Sequence, residues 1–239
     1  MPGRFRAGHA ARGLARRQGM AVIEGETMGA ETWQVRASAC ELLSLSLRYP
    51  DDALARIVAS GEWADAAREI WDALGIALPS DWAAGVEDTE LHALRAEATR
   101  LFVGAPQAAC SPYEGFWRAG DDGVQPLMFV NPHSMAVERF CKDCGLGQAE
   151  GAPNEPLDHI ATEFELLQYL ASVEAGIVEP HPDGPSAGDL PDGGAGAAYE
   201  RFEADHLRTF APRFADRLAV EARVPYYRAV ACLLSAYLG

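Results

Sequence analysis

The chain has 239 residues, 49% of them hydrophobic, and a formal net charge of −15. Residues 1–20 hold five arginines and no acidic residue, so the remainder carries 15 basic and 35 acidic residues, a net charge of −20. A body this acidic repels nucleic acid and anionic lipid and attracts basic peptides, although acidity also serves solubility. No run approaches the roughly 18 apolar residues of a membrane span. We therefore expect no nucleic-acid partner and no membrane insertion.

Five cysteines occur without the spacing of a disulfide framework. Cys141 and Cys144 form a Cys-x-x-Cys pair, which could be half of a zinc site, but no second Cys or His pair stands at a matching distance. We predict buried structural thiols, no bound metal and a reducing, cytoplasmic location.

Residues 1–29 lack apolar periodicity and are predicted to form a disordered basic tail, followed by one domain over 30–239. From Glu31 onward apolar residues recur at helical spacing, without the alternation of strands. The fold class is therefore all-α, a single-domain bundle of about nine helices. They are predicted at 31–49, between Asp51 and Gly61, and at 62–74, 89–103, 132–144, 156–175, 198–209, 212–222 and 225–238.

Helix boundaries follow from caps and breakers. Asp51 is a predicted N-cap, and Pro212 and Pro225 are placed at helix starts. Stretches rich in Gly, Pro and turn residues indicate non-helical structure over 105–131 and a surface loop over 177–197.

The helix predicted at 156–175 begins with an unusual polar group. Pro156 fits the first helical position, and Asp158 in the first turn would face solvent at the positive end of the helix dipole. His159 and Glu163 are four residues apart and share a face. An apolar stripe beginning at Ile160 turns the other face inward.

A second group spans residues 94–117. Leu101 and Phe102 end a helix and are either core residues or part of a mixed surface. Tyr113 and Trp117 lie in the predicted non-helical stretch, where large aromatics cover a core or form a binding surface. We expect Trp117 to be partly exposed.

The sequence gives little support for a catalytic role of Asp158, His159 and Glu163. A di-iron bundle needs Glu-x-x-His pairs on two helices, and a nucleophile elbow, a P-loop and a dinucleotide fingerprint are absent. Two alternatives stay open: a metal-dependent enzyme using Asp158, His159 and Glu163, or a helix cap without further function.

The segment Glu155-Pro156-Leu157-Asp158-His159 resembles the E-P-x-D-H signature of the TorD/DmsD family. Residues 95–114 also resemble that family's R-x-E-[aromatic]-x-R-L-F-x-G-P and P-Y-E-S blocks, with departures at Ala98, Ala105 and Gly115, where serine is usual. The closing helices, with His206-Leu207 and Tyr226-Tyr227, are similar as well. The resemblance covers about residues 31–239.

This resemblance implies a cytoplasmic, non-enzymatic chaperone for molybdenum-cofactor oxidoreductases. It would bind the twin-arginine signal peptide of the molybdoenzyme catalytic subunit and assist its maturation before export. The resemblance alone suggests guanine nucleotide as a ligand; whether the chain is a monomer or a dimer stays open, as does a peptide-binding module without an exported client.

A receptor for such a peptide needs an apolar groove beside carboxylates. Ten residues are predicted to contact the client. They are Leu101, Phe102, Pro112, Tyr113, Glu114, Trp117, Glu155, Pro156, Asp158 and His159.

Overall fold

The structure is a computed structural model that describes residues 24–104, 107–123, 131–147 and 156–239. Within these ranges every regular element is helical and no strand occurs. One isolated antiparallel bridge joins Tyr113 and His159. The prediction of an all-α fold is confirmed, whereas most of the predicted tail, residues 1–23, lies outside the described residues.

Ten α-helices account for most of the described chain. They are α1 (Glu24–Leu47), α2 (Asp52–Ala59), α3 (Glu62–Ala73), α4 (Leu91–Ala98), α5 (Glu114–Asp121), α6 (Pro132–Asp143), α7 (Ile160–Glu174), α8 (Ala195–Phe202), α9 (Arg208–Glu221) and α10 (Pro225–Leu238).

Two π-helical turns join some of these helices end to end. The turn Thr99–Val103 continues α4, and the turn Glu203–Leu207 links α8 to α9. Counted as continuous helices, the described ranges contain nine, which is the predicted number, although the set differs: α5 was not predicted, and the continuous helix from α8 to α9 was predicted as two. Single π-turns within α-helices are rare and are frequent at functional sites.

Several boundaries agree with the predicted caps. The Asp51 carboxylate accepts hydrogen bonds from the backbone N–H groups of Ala53 and Leu54 at 3.0 and 2.9 Å. Gly104 ends the π-turn with a φ of +37°, a region that favours glycine. The first helix begins at Glu24, seven residues before the predicted start at Glu31.

Two boundary predictions are wrong. The stretch 105–131 was predicted to be non-helical, yet it contains α5, whose short Gly-containing sequence gives a weak local signal. Pro212 lies inside α9 rather than at a helix start. Proline removes one backbone donor from a helix, and here the irregular π-turn immediately precedes the helix that accommodates it.

The core is centred on α1 and α7, which pack on each other more extensively than any other described pair, while α10 packs on α9. Large aromatic side chains fill the space between them. Trp63, Trp71, Phe164, Tyr226 and Tyr227 are all at most 1% exposed. Among the described residues, no helix combines the length and apolar character needed to cross a membrane.

Candidate functional site

The two sequence blocks meet through their backbones. The N–H of Glu114 donates to the carbonyl of Asp158 at 2.9 Å, and the N–H of Ile160 donates to the carbonyl of Pro112 at 2.8 Å. These paired hydrogen bonds fix the starts of α5 and α7 side by side. Segments that are distant in the chain, with partners 44 and 48 residues apart, therefore form one unit.

His159 is the N-cap of α7. Its Nδ1 accepts a hydrogen bond from the backbone N–H of Ala161 at 3.1 Å, and α7 begins at Ile160. The prediction that Pro156 starts this helix and that Asp158 and His159 occupy its first turn is therefore wrong. The imidazole lies perpendicular to the ring of Tyr113, with ring centroids 5.3 Å apart.

Asp158 faces the interior, so the expected solvent exposure is wrong. Its side chain is 1% exposed, and its Oδ2 accepts hydrogen bonds from the N–H of Gly115 at 2.9 Å and the hydroxyl of Ser134 at 2.6 Å. The carboxylate thus stabilises the N-terminus of α5, not that of α7. Burial raises the pKa of this carboxyl, against those two hydrogen bonds, which lower it.

The structure explains why glycine stands at position 115, where serine is usual in the resembling family. A Cβ at this position would lie 2.6 Å from the hydroxyl oxygen of Ser134 and 2.9 Å from the Oδ2 of Asp158. The Ser134 hydroxyl thus occupies the space that a side chain at residue 115 would take.

Two further carboxyls lie behind the motif. Glu114 is fully buried, with Oε1 2.9 Å from the guanidinium of Arg118 and Oε2 3.0 Å from Nδ1 of His206. Glu163 is fully buried, its carboxyl lies against that of Glu114, and neither of its oxygens accepts a hydrogen bond from another described residue. Burial, together with the negative charges of Glu114 and Asp158, raises the pKa of Glu163 well above its usual value.

Glu114, Asp158 and Glu163 form a buried cluster on the interior side of the Tyr113–His159 bridge. No group of three or more His, Cys, Asp or Glu side chains in the described ranges has a geometry that could hold a metal ion. The metal-enzyme alternative, which needs Asp158, His159 and Glu163 to share a ligand, therefore gains no support from their arrangement.

A groove of about 730 Å³ opens in front of the cluster. It runs between the C-terminal end of α1, α2, the α4 rod and the start of α7. Four predicted contact residues line it, namely Phe102, Pro112, Tyr113 and His159.

The other predicted contact residues lie elsewhere. Leu101, Glu114 and Asp158 are buried and do not line the groove. Pro156 is half-buried and does not line the groove, and Glu155 lies outside the described residues.

The exposed apolar surface of the groove comes mainly from residues that the sequence analysis did not single out. Leu45 is 45% exposed, Tyr49 59% and Val103 65%, and all three line the groove. Tyr49 stands between the end of α1 and Pro50, outside the helical repeat, and this was an available signal. Val103 is carried outward by the π-turn.

The basic residues in the wall already have partners. Arg48 forms an ion pair with Glu165 at 2.5 Å, and Arg95 donates to the carbonyl of Pro50 at 3.0 Å. The groove is thus an apolar surface with few free charges.

A model of the nitrate reductase delta subunit family matches residues 60–216, well over half of the chain. The chain belongs to this family. It comprises chaperones of the NarJ and TorD type that act in molybdoenzyme maturation, which confirms the resemblance to TorD/DmsD. No curated protein matches the chain.

The family match therefore makes this delta-subunit-type protein a molybdoenzyme maturation chaperone. The matched range includes both blocks around Tyr113 and His159. It begins after Leu45 and Tyr49, so α1 and the whole of α2 contribute to the groove from outside the matched range.

Trp117 of this chaperone lies in α5, so its placement in a loop is wrong. It is half-buried against the core, and its Nε1 donates to the carbonyl of Ser111 at 2.8 Å. The ring lies in a separate shallow hollow, with the guanidinium of Arg213 5.9 Å from its centroid.

This placement predicts a structural role for Trp117. Trp117→Ala should lower the free energy of unfolding by about 2–3 kcal/mol, because it removes a large packed ring and a hydrogen bond. Denaturant melts measure this, with Trp117→Phe as the control that keeps ring packing. A loss below about 1 kcal/mol together with weaker client binding would restore the hypothesis that Trp117 contacts the client.

Proposed function

We propose that this chaperone binds the twin-arginine signal peptide of a molybdenum-cofactor oxidoreductase subunit and assists the maturation of that subunit before export. The observation that carries the proposal is the groove next to Tyr113 and His159, where three large apolar side chains remain exposed. Family membership supplies the class of client, and the cytoplasmic location follows from a client that awaits export.

The peptide chemistry fits the groove. A twin-arginine signal peptide has a basic end followed by an apolar segment. Covering Leu45, Tyr49 and Val103 with that segment would remove apolar surface from water, which is favourable by roughly 25 cal/mol per Å². The acidic body, with its net charge of −20 outside residues 1–20, would steer the basic end toward the protein.

Glu114 and Asp158 are poor candidates for direct contact with the arginines. Both are buried and already bonded inside the protein. They support the proposal indirectly, because they hold the Tyr113–His159 bridge that forms one wall of the groove.

The binding test is a calorimetric titration of the full chain with a twin-arginine peptide that includes its apolar segment. We expect micromolar affinity or better, about −8 kcal/mol. A Lys-Lys version and a scrambled sequence are the comparison peptides. Equal affinity for all three would indicate a peptide-binding module without an exported client, and no binding would refute the proposal.

The groove is tested by a matched pair of valine substitutions. Val103→Ser should weaken peptide binding about tenfold or more, because an apolar contact near the centre of the interface is lost. Val220→Ser is the control, since Val220 is 80% exposed on α9 and does not line the groove. Thermal melts should show both variants folded, and equal affinities for the two would place the binding surface elsewhere.

A further inference from the structure

The apolar groove leaves open which residue recognises the basic end of the client. The two acidic residues predicted for this role in the described chain, Glu114 and Asp158, are buried. A recognition residue must instead be exposed, acidic, next to the groove and free of an internal partner.

Glu41 meets these conditions. It lies on α1 one helical turn before Leu45, so the two side chains share a face, and Leu45 lines the groove. Glu41 is exposed, and no hydrogen bond or ion pair within the described ranges involves it. Partial burial raises the pKa of its carboxyl, and no cation in the described part of the chain offsets this.

The packing of α1 on α7 places a second acidic residue at the same level. The hydroxyl of Ser44 donates to the carbonyl of Ala161 at 2.8 Å, which fixes the register of the two helices. Trp33 and Glu174 both lie against Gly196, so the helices run antiparallel. In antiparallel helices, a step toward the N-terminus of one corresponds to a step toward the C-terminus of the other. Glu41 lies about one turn N-terminal to Ser44, and Glu165 lies about one turn C-terminal to Ala161. The two glutamates are therefore at the same level along the helix pair.

The local charge at this end of the groove is negative. Glu165 is neutralised by Arg48, whereas Glu41 has no ion-pair partner among the residues that the structure describes. A guanidinium placed there would pair with Glu41.

We propose that Glu41 is the specificity-determining residue that reads the arginine pair of the signal peptide. The peptide then lies with its apolar segment against Leu45, Tyr49 and Val103 and its basic end toward the middle of α1. This inference rests on the proposed function and assigns an orientation to the bound peptide.

The experiment compares two peptides that differ only at the arginine pair, the native Arg-Arg form and a Gln-Gln form. For the unmodified full chain we expect tighter binding of the Arg-Arg form. Glu41→Gln should reduce that preference about tenfold, because a charge-assisted hydrogen bond is lost. It should leave the affinity for the Gln-Gln peptide unchanged, because the apolar contacts remain.

Charge reversal and a matched control complete the design. Glu41→Arg should bind a Glu-Glu peptide more tightly than the unmodified chain does. Glu69→Gln, at an exposed acid on α3, should behave as the unmodified chain. If the unmodified chain prefers the Arg-Arg peptide and Glu41→Gln keeps that preference, the assignment of Glu41 is overturned while the proposed function stands. If the unmodified chain binds neither peptide, both are overturned.

Discussion

Replacing Asp158 with alanine should lower the free energy of unfolding by about 3 kcal/mol. The substitution leaves two donors without their acceptor, the buried N–H of Gly115 and the half-buried hydroxyl of Ser134, and an unsatisfied buried group costs about 1–3 kcal/mol. It also removes the negative charge at the N-terminus of α5, a smaller loss.

The surroundings leave little room for a compensating shift. The Asn131 side chain donates to the carbonyl of Gly115 at 2.8 Å, and a Cβ at residue 115 would be 3.0 Å from Asn131 Cγ. A tightly packed site does not collapse around a deleted group, so the cavity adds to the cost.

Denaturant melts of three variants measure the effect. Asp158→Asn keeps one oxygen acceptor and should lose clearly less stability than Asp158→Ala. Asp216→Ala, at an exposed position on α9, should change stability by less than about 0.5 kcal/mol. Peptide affinity of folded Asp158→Ala should fall as well, since the groove wall loosens. Unchanged stability with weakened binding would mean that the carboxylate faces the client after all.

The sequence predicted the helical class and most helix positions because apolar periodicity and local caps carry that information. The cap at Asp51 and the stop at Gly104 depend on neighbouring residues only. α5 depends on a partner distant in sequence, the carboxylate of Asp158, and local propensity does not report this. That is why Trp117 was assigned to a loop.

The candidate site was predicted only in part, because its arrangement also depends on contacts between residues distant in sequence. The sequence identified the motif residues, but which of their side chains face the groove depends on packing. His159 and Tyr113 face it, while Asp158 and Glu114 point inward from the adjacent positions. Adjacent residues in an extended segment point to opposite sides, so one motif supplies both a wall and its internal support. Leu45 and Val103 belong to helical segments, and apolar periodicity does not indicate which exposed residues of a helix line a groove.

Glu163 should make the stability of this chaperone fall as the pH rises above the ordinary range of a glutamate. In the unfolded chain the pKa of this carboxyl is near its usual 4.5, and in the folded protein burial and the charges of Glu114 and Asp158 raise it well above that. Between these two values the folded state holds a proton that the unfolded state has released. The unfolding free energy therefore decreases with pH across this window.

Glu163→Gln should flatten this dependence, because glutamine imitates the protonated carboxyl and does not titrate. Each unit by which the folded pKa exceeds the unfolded value contributes about 1.4 kcal/mol to the decline in the unmodified chain. Thermal or urea melts from about pH 5.5 to pH 8.5 stay above the isoelectric point near 4.7. Since burial also raises the pKa of Asp158, some slope should persist in the variant.

The informative quantity is the difference in unfolding free energy between Glu163→Gln and the unmodified chain at each pH. The unfolding free energy of the variant should increase relative to that of the unmodified chain as the pH rises. Glu69→Gln, exposed on α3, is the control and should run parallel to the unmodified chain. Parallel curves for Glu163→Gln as well would mean that Glu163 is ionised in the fold. A charged Glu163 would then lie fully buried against the carboxyl of Glu114 with no hydrogen-bond donor among the described residues, and a buried charge without such a partner is costly.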